Sequence, residues 1–344
     1  MPQTLNMMRS CFSAVTILTL IGGCQPRNYN SGNTAGIDQG TQPSPQDPAG
    51  CVFNANDPFE PHDTIDIPDP SNNGKKITRC IDTRKARPIK IISGNNMQIE
   101  VANVFHLGHF YRSMIPINQG AVASVKFLIE HFPAPPPIKA GHGLLRVDFN
   151  IPITLVPQAA NSGLPTIQVS NIVLSMEADG EQNWKYDLVT GIKNRFVGVW
   201  RVATLETQYA EYVAEKKHQT EQLNLDSDQY PYEQALVVSQ WLKRSDANQY
   251  KRWYNTLTSS CGMEALNILE EAREINHRAS GASCVISALD VLDDKVATLA
   301  ELNPTSAQLA LSVRGYAPKP GPDLAADPIA QQLGWDKKYP VSPN

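Results

Sequence analysis

The sequence predicts an α+β protein in which an antiparallel sheet packs against helices, and two observations carry that prediction. Between positions 89 and 202 short apolar runs alternate or cluster, broken by Gly and Asn turn signals, with no long helical pattern between them. From Leu205 onward apolar residues recur at helical spacing with charges on the opposite face. A hydrophobic share of 41% supplies enough apolar surface for a real core, and 344 residues allow about two domains. The net charge of −4 leaves no basic footprint for nucleic acid.

Residues 1–23 are a targeting segment. Arg9 supplies a short positive region, and the apolar stretch from Cys11 to Gly23 is too short for a stable membrane span. It ends in Ile21-Gly22-Gly23-Cys24, which resembles the lipobox of bacterial lipoproteins: an aliphatic residue and two small ones before a cysteine that becomes the lipid-modified first residue. That resemblance implies palmitate-type acyl chains on Cys24, and Gln25 in the following position favours the outer membrane. Residues 24–50, rich in Asn, Gly, Gln, Ser, Thr and Pro, cannot bury enough surface to fold and read as a tether. A flexible chain of that length reaches about 25–30 Å.

Residues 51–102 form an amino-terminal region bracketed by Cys51 and Cys80, whose pairing would close a loop worth about 3 kcal/mol. Inside it Asp57, Glu60, His62, Asp63, Asp66 and Asp69 lack the ligand spacing of a known calcium loop and read as a solvated acidic surface. Ile89 to Ala102 reads as a hairpin turning at Ser93-Gly94-Asn95. Residues 103–303 should form the main domain. His106-Leu107-Gly108-His109 has no third metal ligand and reads as structural. Ala121 to Phe132 fits a strand or a short helix. Strands are expected at Gly141 to Pro152, Ile167 to Met176, Tyr186 to Val189 and Phe196 to Val202. Helices follow from Leu205, at Tyr232 to Lys243 and Gln249 to Leu257, with Trp241 and Trp253 as anchors, and again at Ser283 to Leu302. Of the 26 prolines several cluster after Tyr316, so residues 304–344 read as a surface-hugging or mobile tail.

The chemistry concentrates around Cys261. Met263, Leu266, Ile268 and Leu269 mark a helix that begins near it, with Ser259 and Ser260 as candidate N-caps. A cysteine in the first turn meets unpaired N–H groups and the positive end of the helix dipole, which favour the nucleophilic thiolate. The candidate base is His142, at the start of an alternating run, Gly141 to Phe149. An imidazole needs an acceptor for its second ring N–H, and Glu177, Ser175 and Asn171 are the candidates, with Glu177 preferred. Cys284 offers Cys261 a competing fate as a disulfide partner. No cofactor motif and no metal-ligand spacing is found.

The order of these features resembles the circularly permuted papain-like group, of the NlpC-type arrangement, in which histidine precedes cysteine along the chain. Within that group the sequence resembles the periplasmic thiol domain at the N-terminus of lipoprotein N-acyltransferases of the Lnb type. The matching stretches are Gly141 to Val147, Gly191 to Phe196, Val202 to Tyr209 and Tyr254 to Cys261, and the resemblance spans Ala140 to Ala272. Ser260 stands where that family has asparagine. The resemblance implies an exported, membrane-tethered thiol acyltransferase or hydrolase acting through an acyl-cysteine at Cys261, on lipid or cell-wall substrates. The competing expectation is a non-catalytic surface lipoprotein that uses the same scaffold for binding. The membrane, reached through Cys24, is the expected partner; no protein partner is indicated.

Overall fold

The structure, a computed structural model, describes residues 51–68, 76–132, 140–181, 186, 191, 195–225, 231–256, 260–279 and 304–339. The expected leader, lipobox and tether, and the Ser283 to Leu302 helix with Cys284, lie outside these residues.

Two short strands, β1 (Thr64–Pro68) and β2 (Lys76–Cys80), pair antiparallel by themselves, and Cys80 is disulfide-bonded to Cys51. The acidic residues beside them are not all solvated. Asp57 and Glu60 are drawn inward by Arg87, whose Nη1 lies 2.6 Å from Asp57 and whose Nη2 lies 3.0 Å from Glu60, all three side chains being buried. A carboxylate can be buried when a guanidinium fork matches it.

The main sheet begins with the expected hairpin, β3 (Lys90–Gly94) and β4 (Gln98–His106), whose turn is fixed by the Asn95 side chain accepting the N–H groups of Met97 and Gln98. A second hairpin joins β4 to β5 (His109–Pro116), with His106 and His109 as the closing pair and Leu107 and Gly108 at φ 44° and 87°. Positive φ at both central residues matches the natural strand twist, so the two histidines serve a turn. His106 Nδ1 is held by the Thr204 hydroxyl at 2.8 Å.

The ambiguous run at Ala121 to Phe132 is a strand, β6 (Val122–Phe132), paired to the first half of β7 (Ala140–Pro157). β7 is longer than its sequence pattern suggests. A register slip against β8 (Ile167–Asp179) between Asp148 and Ile153 lets its last residues turn to pair with β5. β9 (Phe196–Thr204) pairs antiparallel with β8 and, through Val202 and Ala203, parallel with β4. The chain of pairings β4, β5, β7, β8, β9 and back to β4 is closed. The sheet is therefore mixed and curled into a five-stranded barrel, not the antiparallel sheet expected, because β9 meets the end of β4 on the edge that β3, whose pairing stops at Ala102, leaves open.

The helical half is also interrupted. Thr204 caps α1 (Leu205–Gln208) through its side chain, the chain continues as a π-helix at Tyr209–Glu215, and a strand the sequence pattern does not announce, β10 (Thr220–Asn224), returns to β6. α2 (Pro231–Asn248) ends where Gln249 turns to φ 49°, and the region expected to prolong the helices forms β11 (Trp253–Tyr254) against β9. Strand alternation sends Tyr254 inward and leaves the expected anchor Trp253 40% exposed, whereas Trp241 is fully buried. α3 (Cys261–Ala279) is the expected cysteine helix.

The sheet's two faces are built separately. Leu145, Val147, Leu174, Met176 and Trp200 pack with Trp241 of α2 and Leu266 and Leu269 of α3. Leu128, Leu144 and Val173 pack on the other side with Leu205, Tyr209 and Val213, and with Leu324 and Trp335 from the carboxy-terminal segment. The expected tail is thus part of the core as far as Tyr339. Asp327, the N-cap of α4 (Pro328–Gln332), is bonded at 2.6 Å to Arg146 of β7, which also reaches Asp148 at 2.7 Å and Gln222 at 2.7 Å.

Replacing Asp327 by Ala would leave the buried Arg146 charge with Asp148 alone, and the loss should stay below about 3–5 kcal/mol, the cost typical of a buried charge left wholly unpaired. The urea midpoint of the variant should fall accordingly. Burial opposes ionisation of Asp327, but hydrogen bonds from Gln222 and Arg146 outweigh it and hold the carboxyl below its usual range. A depressed folded value means that this stabilisation is complete above about pH 4 and is lost as pH falls further. The gap between wild type and variant should therefore narrow in acid; equal midpoints at pH 7 would show that the segment is not fastened here.

Candidate functional site

Cys261 is the first residue of α3, and Glu264 N–H closes the first turn on the Ser260 carbonyl at 3.0 Å. Ser260 does not cap through its side chain: its Oγ is buried and has no hydrogen-bond partner among the described residues. Ser259 lies outside the described residues. Cys261 carries a free thiol, 3% exposed.

What brings His142 to it is a pair of glycines. A Cβ placed on Gly143 would stand 2.6 Å from Gly262 Cα and 3.2 Å from Gly262 N, so the β7 backbone and the first turn of α3 approach more closely than any side chain would permit. At that contact His142 and the Gly143 N–H face the Cys261 sulfur, while the Tyr254 hydroxyl donates to it from 3.8 Å. Residues 119 positions apart in sequence are in this way made electrostatic neighbours.

The cross-strand register settles the neighbour of the imidazole. β7 pairs with β8 so that Leu144 faces Ser175, and the same register two residues on sets His142 opposite Glu177. His142 Nε2 lies 3.4 Å from Glu177 Oε1, and Ser175 Oγ donates to the same oxygen at 2.6 Å. Ser175 thus supports Glu177 instead of replacing it. Asn171 is turned away, donating to Asp148 in the Arg146 network.

Burial alone would push the thiol up, but the facing His142 and the hydrogen bonds from His142, Gly143 and Tyr254 bring Cys261 below the usual thiol range. Burial would likewise push the imidazole down, yet the Cys261 sulfur and the Glu177 carboxylate together raise it well above 6.5. Glu177 itself is held far below the usual carboxylate range despite burial, chiefly by His142, with help from Arg201 and Ser175. The arrangement favours a thiolate–imidazolium pair, the reactive form of such a dyad.

Around the dyad the structure places residues that sequence reasoning did not assign. Phe132 stacks on His142 with ring centroids 6.2 Å apart, and Tyr186 meets Tyr254 edge-on at 5.9 Å. Tyr186 is also bonded to Thr256, whose N–H is received by the Gly191 carbonyl, so the Gly191 and Tyr254 stretches form one wall beside the thiol. Tyr254 opens the Tyr254 to Cys261 stretch on which the family resemblance rests, and that was the available signal for it. Arg201, a salt-bridge neighbour of Glu177, had none.

A family model described as the Lnb N-terminal periplasmic domain matches residues 117–299, just over half of the chain. The chain belongs to that family. The match contains β6 to α3, and with them Cys261, His142 and Glu177. Compared with the curated proteins and with the solved structures, the chain matches none. Membership of the Lnb N-terminal domain family makes this a periplasmic, lipoprotein-related protein, exported and associated with the envelope. No helix among the described residues is long and apolar enough to cross a membrane, and among them no group of three or more His, Cys, Asp or Glu side chains is placed to hold a metal ion.

The electrostatics can be read out by alkylation. The rate at which iodoacetamide modifies Cys261 should rise with pH at an inflection below the ordinary thiol value of about 8.5. In His142→Ala that inflection should return toward the ordinary value, since the group that most stabilises the thiolate is gone. Gly143→Ala forces the two backbones apart. A shift of about 1 Å can cost on the order of 100-fold in rate, so a similar loss of neutral-pH labelling is expected with an unchanged circular dichroism spectrum. Identical profiles for all three proteins would refute the ion pair.

Proposed function

We propose that this protein is a lipid-anchored thiol acyltransferase or hydrolase in which Cys261 is the nucleophile, His142 the general acid and base, and Glu177 the group that orients and charges the imidazole. The observation that carries the reading is the meeting of these three side chains at the N-terminus of α3, where each shifts the protonation of the next. The histidine-before-cysteine order is that of the permuted papain-like group, which the reading adopts for the arrangement of the site.

With an ester donor, the Cys261 thiolate attacks the acyl carbonyl, a C–S bond forms, and the carbonyl electron pair moves onto oxygen. Unpaired N–H groups in the first turn of α3 are the nearest dipoles to that oxyanion. Collapse breaks the C–O bond as the His142 imidazolium gives its proton to the leaving alkoxide. Neutral His142 then takes a proton from the acceptor, water or an amine, as that acceptor attacks the acyl-cysteine. The C–S bond breaks, and the thiolate–imidazolium pair is restored.

Exposure to a fluorescent activated-ester acyl probe should label the wild-type protein and not Cys261→Ala. His142→Ala should slow labelling by about 10²–10⁴-fold, the usual contribution of a positioned acid or base. Equal labelling of wild type and Cys261→Ala would end this reading. The lipid anchor is tested separately: Cys24→Ala should fractionate as a soluble protein, since durable attachment requires several acyl chains. A variant that stays wholly with membranes would refute lipidation at Cys24.

A further inference from the structure

We propose that Arg201, held by Glu211 of the π-helix, is a positioning residue that competes with His142 for the Glu177 carboxylate and so sets how strongly the imidazole holds its proton. The inference rests on the proposed Cys261–His142–Glu177 site and assigns its control to a segment outside it.

Arg201 lies on β9 opposite Ser175 of β8, so its side chain runs along the sheet face that carries Ser175, Glu177 and, one strand further, His142. Its Nη1 is 3.9 Å from Glu177 Oε1, the same oxygen that faces His142 Nε2 at 3.4 Å. On its other side Nη2 lies 3.6 Å from Glu211 Oε2, and the guanidinium carbon sits 4.4 Å over the Phe105 ring. The side chain is only 4% exposed, and Nε and Nη2 have no hydrogen-bond partner among the described residues. Such a group is costly to bury unless it acts on its neighbours.

Glu211 reaches Arg201 from an unusual element. The seven residues Tyr209–Glu215 form a π-helix, a conformation found mostly as short insertions near functional sites. Tyr209 and Val213 of this element enter the core, while Glu211 and Tyr212 are directed to the guanidinium. The charged and titratable groups facing Arg201 are thus Glu177 and Asp179 from β8 and Glu211 and Tyr212 from the π-helix, with Glu130 of β6 beyond Tyr212. Arg201 is a cation shared between two carboxylates. Strengthening its tie to Glu211 releases Glu177 to His142; weakening that tie does the reverse.

The two substitutions that separate this role from simple scaffolding have opposite signs. In Arg201→Met the imidazolium loses its competitor, and the His142 titration should move up by about one pH unit, the scale of shift a neighbouring charge produces. In Glu211→Gln the guanidinium is left to Glu177 alone, and the same titration should move down. Arg201→Lys should restore most of the wild-type value. The readout is the His142 ring proton resonance of the full chain in detergent, assigned with His142→Gln, followed by the high-pH limb of activated-ester labelling. A merely structural Arg201 would lower labelling without moving either titration, and Glu211→Gln would keep the inference testable if Arg201→Met fails to fold. Unmoved His142 titrations in both variants overturn it. Opposite shifts accompanied by equal labelling of Cys261→Ala would instead retain the charge coupling and discard the enzymatic reading.

Discussion

The site depends on one steric constraint, the approach of two backbones at Gly143 and Gly262. A helix usually stands off a sheet by the thickness of its side chains, and at that separation a cysteine in the first turn could not share a proton with a histidine on the strand. Removing both side chains at the crossing lets the first turn of α3 settle onto β7. The Gly143 N–H then faces the sulfur, and His142 is carried toward it as the neighbouring residue along the strand. Everything else around the site extends from that contact: β8 supplies Glu177 because it pairs with β7 in one register, and β11 supplies Tyr254 because strand alternation turns it inward. A register slip of one residue would put Glu177 on the opposite face of the sheet.

The second constraint is electrostatic. A buried thiol and a buried imidazole each favour their neutral forms, and neither would ionise alone. Here burial is the largest opposing influence on both, yet mutual attraction, two further donors to sulfur and a facing carboxylate reverse its effect. Because the two groups titrate together, the protonation steps belong to the pair and not to either residue. The same burial shields the thiol in an oxidising compartment, where its lowered value would otherwise invite oxidation. Protection and activation therefore have a common source.

How much of this was legible in the sequence follows from the range of each signal. Cys261 at a helix start and His142 at a strand start were readable because helix and strand periodicity are local. Glu177 could be preferred over Ser175 and Asn171 only by its charge, since the choice is made by pairing between strands, and the structure shows that Ser175 is itself a partner of Glu177. The π-helix looked like an ordinary amphipathic helix, because Tyr209 and Val213 satisfy that spacing as well. β10 and β11 were missed for the opposite reason: five and two residues are too few to show alternation, and their strand form is imposed by β6 and β9. The proline-rich end read as a tail because prolines and small residues carry no periodic pattern. Its place in the core depends on isolated residues, Leu324, Asp327 and Trp335, which only the folded barrel can receive.

The boundaries of the family match sharpen that last point. Residues 117–299 contain Cys261, His142 and Glu177, but the barrel closes only through β4 and β5, which precede the match, and one face is covered in part by residues that follow it. Phe105 of β4 lies under Arg201, and Arg146, two turns of the pleat along β7 from His142, is neutralised by Asp327. The strand that presents the histidine is thus held at its far end by β5 and at Arg146 by Asp327, both outside the matched region. Precision at the dyad is set by how firmly β7 is held along its whole length, since a strand anchored only near His142 could tilt about the Gly143 contact and separate imidazole from sulfur. The proposed site and part of the packing that holds its strand are therefore encoded in different parts of this chain.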